Sequence, residues 1–208
     1  MSDLAALTAA VESGDHTGAA QATRAALDAG VDPKAVLDAM IGAMDVVGRK
    51  FQAGECFVPE MMVSARAMKA GTEIIEPILA ESGVKPEYRA IVGTVEGDLH
   101  DIGKNLVGMM WKGGGLEVID LGVNVPAARF VDAAREHDAH LVGVSALLTT
   151  TMPNMRAVVE AVRAADLSAK VAVGGAPVTP ELAVQIDADG YADDAGAAVD
   201  LARDLLPR

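Results

Sequence analysis

The residues best suited to chemistry lie in one short run, Glu96-Gly97-Asp98-Leu99-His100-Asp101-Ile102-Gly103-Lys104-Asn105. The run has the form Asp-x-His-x-x-Gly. With Asp98 and His100 two apart in a loop, the carboxylate can hold one imidazole nitrogen and so fix the other as a lone-pair donor, which is what a metal ligand requires. Gly97 and Gly103 leave out side chains where a broad planar ligand would approach the backbone. Alone, an Asp and a His so close in a loop ordinarily form a surface hydrogen bond or a helix cap, and Asp101 is placed to cap the following helix whatever the loop does. The other histidines, His16, His137 and His140, have no such partner pattern and read as surface residues.

Two further runs share this setting. Val144-Ser145-Ala146-Leu147-Leu148-Thr149-Thr150 and Val173-Gly174-Gly175-Ala176-Pro177 each close a short valine-rich stretch. Ser145 is expected to donate a hydrogen bond to Asp98, completing a chain of hydroxyl, carboxylate and imidazole. Ser and Thr at a strand end are ordinarily turn formers, and Gly-Gly is ordinarily a tight turn. Their joint placement at one sheet edge with Asp98 and His100 is what marks a site.

The elements that must position these residues follow from periodicity. From Arg89 onward, short apolar runs alternate with helical patterns. Strands are expected at 89–95, 116–121, 141–145, 170–173 and near Gly190-Tyr191, with helices at 103–111, 126–136, 153–165, 180–186 and 195–206. This order predicts an α/β domain over 88–208, a doubly wound five-stranded parallel sheet of flavodoxin or Rossmann-like type, with ligands at the carboxyl ends of the strands. Residues 1–84 instead read as helix throughout, with Asp15 and Asp32-Pro33 as start signals, a last helix opening near Pro59, and Pro77 expected to kink or shorten its end. Short connections predict a four-helix bundle. Glu81-Ser82-Gly83-Val84-Lys85-Pro86 reads as the linker.

Composition narrows the function. Apolar residues make up 51% of the 208 but aromatics only 3%, so Ala, Val, Leu, Ile and Met must fill the core. A formal charge of −13 argues against nucleic acid and against adsorption to anionic lipid. The single cysteine, Cys56, rules out an internal disulfide and a Cys-only metal site. No basic leader opens the chain and no apolar run approaches roughly 18 residues, so no membrane segment and a cytoplasmic location are expected.

Taken together, Asp98-x-His100-x-x-Gly103, Ser145-x-Leu147 and Gly174-Gly175 resemble the signature of cobalamin-binding domains. The stretch from Gly97 to Val107 is similar, more narrowly, to the methyl-carrying branch: the corrinoid proteins of methylamine and methanol methyltransferase systems and the cobalamin module of methionine synthase. The likeness extends through Phe51-Gln52-Ala53-Gly54-Glu55, Phe57-Val58-Pro59-Glu60, Asp120-Leu121-Gly122-Val123 and Val125-Pro126, covering the chain from about residue 35. It implies cobalamin or a related corrinoid, with cobalt at its centre, bound base-off between the two halves. On that resemblance His100 replaces the benzimidazole beneath cobalt, Asp98 and Ser145 extend the ligand chain, and Gly97, Asp101, Ile102 and Gly103 lie at the corrin. Leu147 and Gly174-Gly175, with Thr149, would line the slot for the nucleotide tail, while Phe57, Val58, Met61 and Met62 would cap the upper face. Methionine at helical spacing ordinarily packs a bundle core, so the cap rests on the resemblance alone.

The resemblance further implies a methyl carrier. It would work between a substrate-specific methyltransferase and an acceptor methyltransferase, with a corrinoid-reactivating protein as a further partner. Such a chain is a subunit of an enzyme system more than an enzyme by itself. The alternatives are a cobalamin-dependent sensor or storage protein, the B12 domain of a radical mutase, and a cofactor-free flavodoxin-like receiver. A sensor needs an output module, and no helix-turn-helix with a basic face is evident. The mutase leaves the helical half unexplained, and the receiver predicts that His100 is dispensable.

Overall fold

Side-chain caps begin two of the first four helices. In the computed structural model, which describes residues 3–82 and 86–207, α1 (Asp3–Ser13), α2 (His16–Asp28), α3 (Pro33–Gln52) and α4 (Val58–Glu81) follow in order. Asp15 accepts the Gly18 N–H at 2.9 Å to open α2, and Asp32 accepts from Lys34 at 3.1 Å to open α3. Pro33 then occupies the first turn, where a missing N–H costs nothing. Glu60 reaches back to accept the Phe57 N–H at 2.9 Å at the start of α4. That helix runs through Pro77 to Glu81, so the proline does not cut it short; it withholds only the one donor that would have bonded the Glu73 carbonyl.

Within this set α1 packs on α2, α3 and α4, and α4 also packs on α2 and α3. Gly71 on α4 permits the close approach, since a Cβ there would lie 2.5 Å from Met40 Sδ and 2.9 Å from Thr23 Oγ1. The helices form one compact unit reaching Pro86 and taking in Gly113–Gly115; Glu87–Lys112 and Leu116–Arg208 form a second. Of the linker expected at Glu81–Pro86, Gly83, Val84 and Lys85 lie outside the described residues. Among the described residues no helix is long and apolar enough to cross a membrane.

The second unit alternates β1 (Arg89–Thr94), α5 (Ile102–Gly113), β2 (Glu117–Asp120), α6 (Ala127–Glu136), β3 (Leu141–Ser145), α7 (Met152–Ala164), β4 (Lys170–Gly174), α8 (Pro180–Gln185), β5 (Gly190–Ala192) and α9 (Ala195–Leu205). All strand pairs are parallel, in the order β2-β1-β3-β4-β5. The central strands have no polar face because both faces are covered. Two glycines admit the large rings that do the covering. A Cβ on Gly93 would lie 2.8 Å from the Phe130 ring, and one on Gly143 2.6 Å from Trp111. Gly143 stands in register with Val92 and Gly93 with Val144, so the two rings fill opposite faces. Trp111 Nε1 donates to the Ala198 carbonyl at 2.8 Å, which ties α5 to α9 on its face.

The chain leaves β1 for β2 on one side and later enters β3 on the other. The loops after β1 and β3 therefore diverge at the topological switch point, where an open α/β sheet forms its ligand crevice.

Candidate functional site

Register brings the expected residues to one edge, with Thr94 beside Ser145 and Ser145 beside Gly174 at the carboxyl ends of β1, β3 and β4. Gly97, at φ +83°, turns the chain after β1, and the Asp98 N–H closes the turn on the Val95 carbonyl at 3.1 Å. Asp98 is fully buried. Its Oδ1 accepts the His100 N–H at 3.1 Å and lies 2.7 Å from His100 Nδ1. Its Oδ2 accepts the Leu147 N–H at 2.8 Å, the Leu148 N–H at 3.1 Å and the Thr151 hydroxyl at 2.8 Å.

These contacts decide the charge of Asp98 and, through it, the tautomer of the imidazole. Burial, the largest single influence on Asp98, pushes its carboxyl up, but the donors from Leu147, His100 and Thr151 together outweigh it and hold the group well below the usual carboxylate range. An ionised carboxylate can only accept, so Nδ1 of His100 carries the hydrogen. The neutral ring then keeps its lone pair on Nε2. The His100 side chain is 50% exposed, and the Thr94 hydroxyl holds its carbonyl at 2.8 Å.

The loop that carries His100, the start of α5 and the loop that holds Asp98 leave apolar side chains in water: Leu99 at 70% exposure, Ile102 at 75%, and Leu147 and Leu148 near 40%. Exposed apolar side chains on the loops that carry one available nitrogen suit a broad, largely hydrophobic ligand. At Gly103 a Cβ would meet no atom within 4 Å beyond its chain neighbours and its own helix backbone. Among the described residues no group of three or more His, Cys, Asp or Glu could hold a metal ion.

The expected hydroxyl is corrected. Among the described residues no hydrogen bond joins Ser145 to Asp98; Ser145 uses its carbonyl, which accepts the Val95 N–H at 3.0 Å. Thr151, at the N-cap position of α7, donates instead. Its place just before Met152-Pro153 was a readable cap signal, though not a signal for Asp98. Asn124 and Asn154 are further residues that sequence reasoning did not single out. Asn124 Oδ1 accepts the Gly97 N–H at 2.7 Å, and Asn154 Nδ2 donates to the Glu96 carbonyl at 2.7 Å. Asp101 accepts from Asn105 Nδ2 at 3.1 Å, its backbone carbonyl taking the Asn105 N–H. Thr149 is exposed on the β3–α7 loop. Gly175, at φ +136°, leaves no room for a side chain, because a Cβ would lie 1.9 Å from the Ala146 carbonyl. In the helical unit, Phe57 and Met62 are exposed, Val58 is half-buried, and Met61 is fully buried and offers no surface to a ligand.

Residues 88–200 match the family model described as a B12 binding domain, and residues 4–76 match a second model of the same description. The chain is 41% identical to a corrinoid protein of Desulfitobacterium hafniense (strain Y51), covering 99% of this chain and 98% of that one. The chain belongs to the cobalamin-binding corrinoid proteins of methyltransferase systems. Its cofactor is a corrinoid, with cobalt at the centre. This corrinoid protein is also 42% identical to dimethylamine corrinoid protein 1 of Methanosarcina acetivorans, over 85% of its own length and 84% of the relative's. Among solved structures, it matches the methanol:cobalamin methyltransferase complex of Methanosarcina barkeri with a TM-score of 0.86 at 30% identity, covering 98% of this chain and 79% of that one. A cobalamin-binding protein of Desulfitobacterium hafniense DCB-2 gives 0.80 at 29% identity, with 98% of each chain covered.

Proposed function

We propose that this corrinoid protein carries a methyl group on the cobalt of its cofactor between partner methyltransferases, with His100 as the lower axial ligand to a base-off corrinoid. The bound corrinoid supplies a metal centre able to take up and release a methyl group, chemistry that no side chain here can perform. His100 Nε2 offers the axial lone pair. Asp98 fixes the tautomer that makes Nε2 available, and it remains an acceptor for Nδ1–H whether Nε2 is bound to metal or carries a proton. Thr151 keeps Asp98 in place. Leu99, Ile102, Leu147 and Leu148 offer the corrinoid apolar surface. Leu147, Thr149, Gly174 and Gly175 hold the nucleotide tail in this reading.

The observation that carries the reading is the fully buried Asp98 at 2.7 Å from Nδ1 of a half-exposed His100. The partners are a methyltransferase specific for the methyl donor and one for the acceptor, and the dimethylamine relatives make methylamines the first donors to try. The test loads purified protein with hydroxocobalamin, removes free ligand and compares its visible spectrum with that of His100→Ala. Stoichiometric retention with a spectrum that changes in the variant is expected. Retention with identical spectra would remove His100 as ligand, and no retention at all would remove the site.

A further inference from the structure

One buried cation in the α/β unit plays no part in the ligand chain. Lys104 stands in the first turn of α5 with its side chain only 2% exposed. Two effects oppose it there: burial strips an ammonium of hydration, and the first turn is the positive end of the helix dipole. A methionine would fill the same space without either cost. What offsets them is a set of specific bonds, for Lys104 Nζ donates to both carboxylate oxygens of Asp120, at the end of β2, and to Asn105 Oδ1 at 2.7 Å.

The pair is wired to the loop that carries His100. Asp120 Oδ1 also accepts the Gly122 N–H at 2.8 Å, and the Gly122 carbonyl accepts the Thr94 N–H at 3.0 Å. Thr94 is the residue whose hydroxyl holds the His100 carbonyl at 2.8 Å. Two residues beyond Gly122, the Asn124 N–H donates to the Asp98 carbonyl at 2.9 Å while its side chain holds the Gly97 N–H. The loop is thus fastened on one side by the β3–α7 segment through the Asp98 carboxylate, and on the other by residues 120–124. Lys104 joins that second fastening to the helix the loop enters.

Resting on the reading of His100 as axial ligand, we propose that Lys104 is a positioning residue: paired with Asp120, it holds the His100 loop in the geometry that presents Nε2. Two variants test this. Lys104→Met keeps the length of the stem and removes the charge, and Asp120→Asn keeps the shape and an oxygen for Gly122. In the full chain without corrinoid, amide hydrogen exchange at Gly97, His100 and Asn124 should quicken about tenfold, while amides of β3 and β4 keep their wild-type rates. In the chain loaded with methylcobalamin, retention should be unchanged while the imidazole-ligated population in the visible spectrum falls about tenfold relative to the unligated one, as loss of a supporting residue does at metal sites. The double variant should be no worse than Lys104→Met, since the two residues act as one unit.

Wild-type exchange and ligation in the folded variants would overturn the proposal. So would faster exchange spread evenly over the sheet, or faster loop exchange with ligation unchanged. If Lys104→Met does not fold, Asp120→Asn, at a half-exposed position, decides by the same readings. A loaded wild type indistinguishable from His100→Ala is a different failure, that of the ligand reading. Exchange in the unloaded chain still decides whether the pair holds the loop.

Discussion

A carboxylate taken wholly out of water loses hydration that only several donors together can replace, and Asp98 has five hydrogen bonds for the purpose. Because its folded carboxyl lies below the ordinary value, its stabilising contribution is complete above about pH 4 to 5 and is lost as pH falls through the lowered value. Asn offers one acceptor oxygen and turns an amide against donors. Asp98→Asn should therefore lose about 3 kcal/mol at pH 7, with the gap from wild type narrowing at strongly acid pH. Urea unfolding at both pH values measures this. A wild-type stability flat across the acid range would contradict the account. At the same scale, Thr151→Val keeps the shape and removes one donor to a buried anion, costing about 1.5 kcal/mol. Ser145→Ala should cost less, because its hydroxyl makes no bond to Asp98. The same urea measurement ranks the two, and the reverse order would restore Ser145 as the third member of the chain.

Elements decide which of these residues meet, and the elements were the more legible part. Valine-rich runs bounded by turn residues marked β1, β3 and β4 to within a residue of their ends, and the parallel order placed their carboxyl ends together. Thr151 was not legible in that way. It stands six residues beyond Ser145, and only the path of the β3–α7 loop returns its hydroxyl to Asp98, which no strand periodicity encodes. The pairing of Lys104 with Asp120 was not legible for a similar reason: both stand in the runs that carry the resemblance, but sixteen residues apart, and only the parallel pairing of β1 with β2 sets them together. Gly174-Gly175 was legible as an unusual pair, but the reason for Gly175 is internal. The end of β4 passes so close to the loop after β3 that a Cβ would strike the Ala146 carbonyl. Gly175→Ala should force these segments apart, cost about 2 kcal/mol or more, and weaken corrinoid retention. Thermal melting and retention of hydroxocobalamin read the two effects separately, and retention at the wild-type level would show that the tail slot does not depend on this turn.

Charge is a property of the whole molecule, and here it can be set against the one carboxylate whose ionisation the site depends on. The chain carries −13 at pH 7 and approaches neutrality near pH 4.6. Mutual repulsion between molecules then vanishes, so solubility should pass through a minimum around that pH. Loss of repulsion and loss of the fold are different events. Near pH 4.6 Asp98 is still ionised, because its donors hold the carboxyl well below the usual range, and its bonds to Leu147, Leu148 and Thr151 persist. The precipitate should therefore consist of folded protein. Turbidity should peak near pH 4.6, and material returned to pH 7 should recover its full circular dichroism and its capacity for hydroxocobalamin. In dilute solution the folded signal should survive through the isoelectric point and fail only in stronger acid. Unfolding in dilute solution above that point would mean that other carboxylates set the acid limit, and that the hydrogen bonds around Asp98 do not govern the stability of the sheet edge.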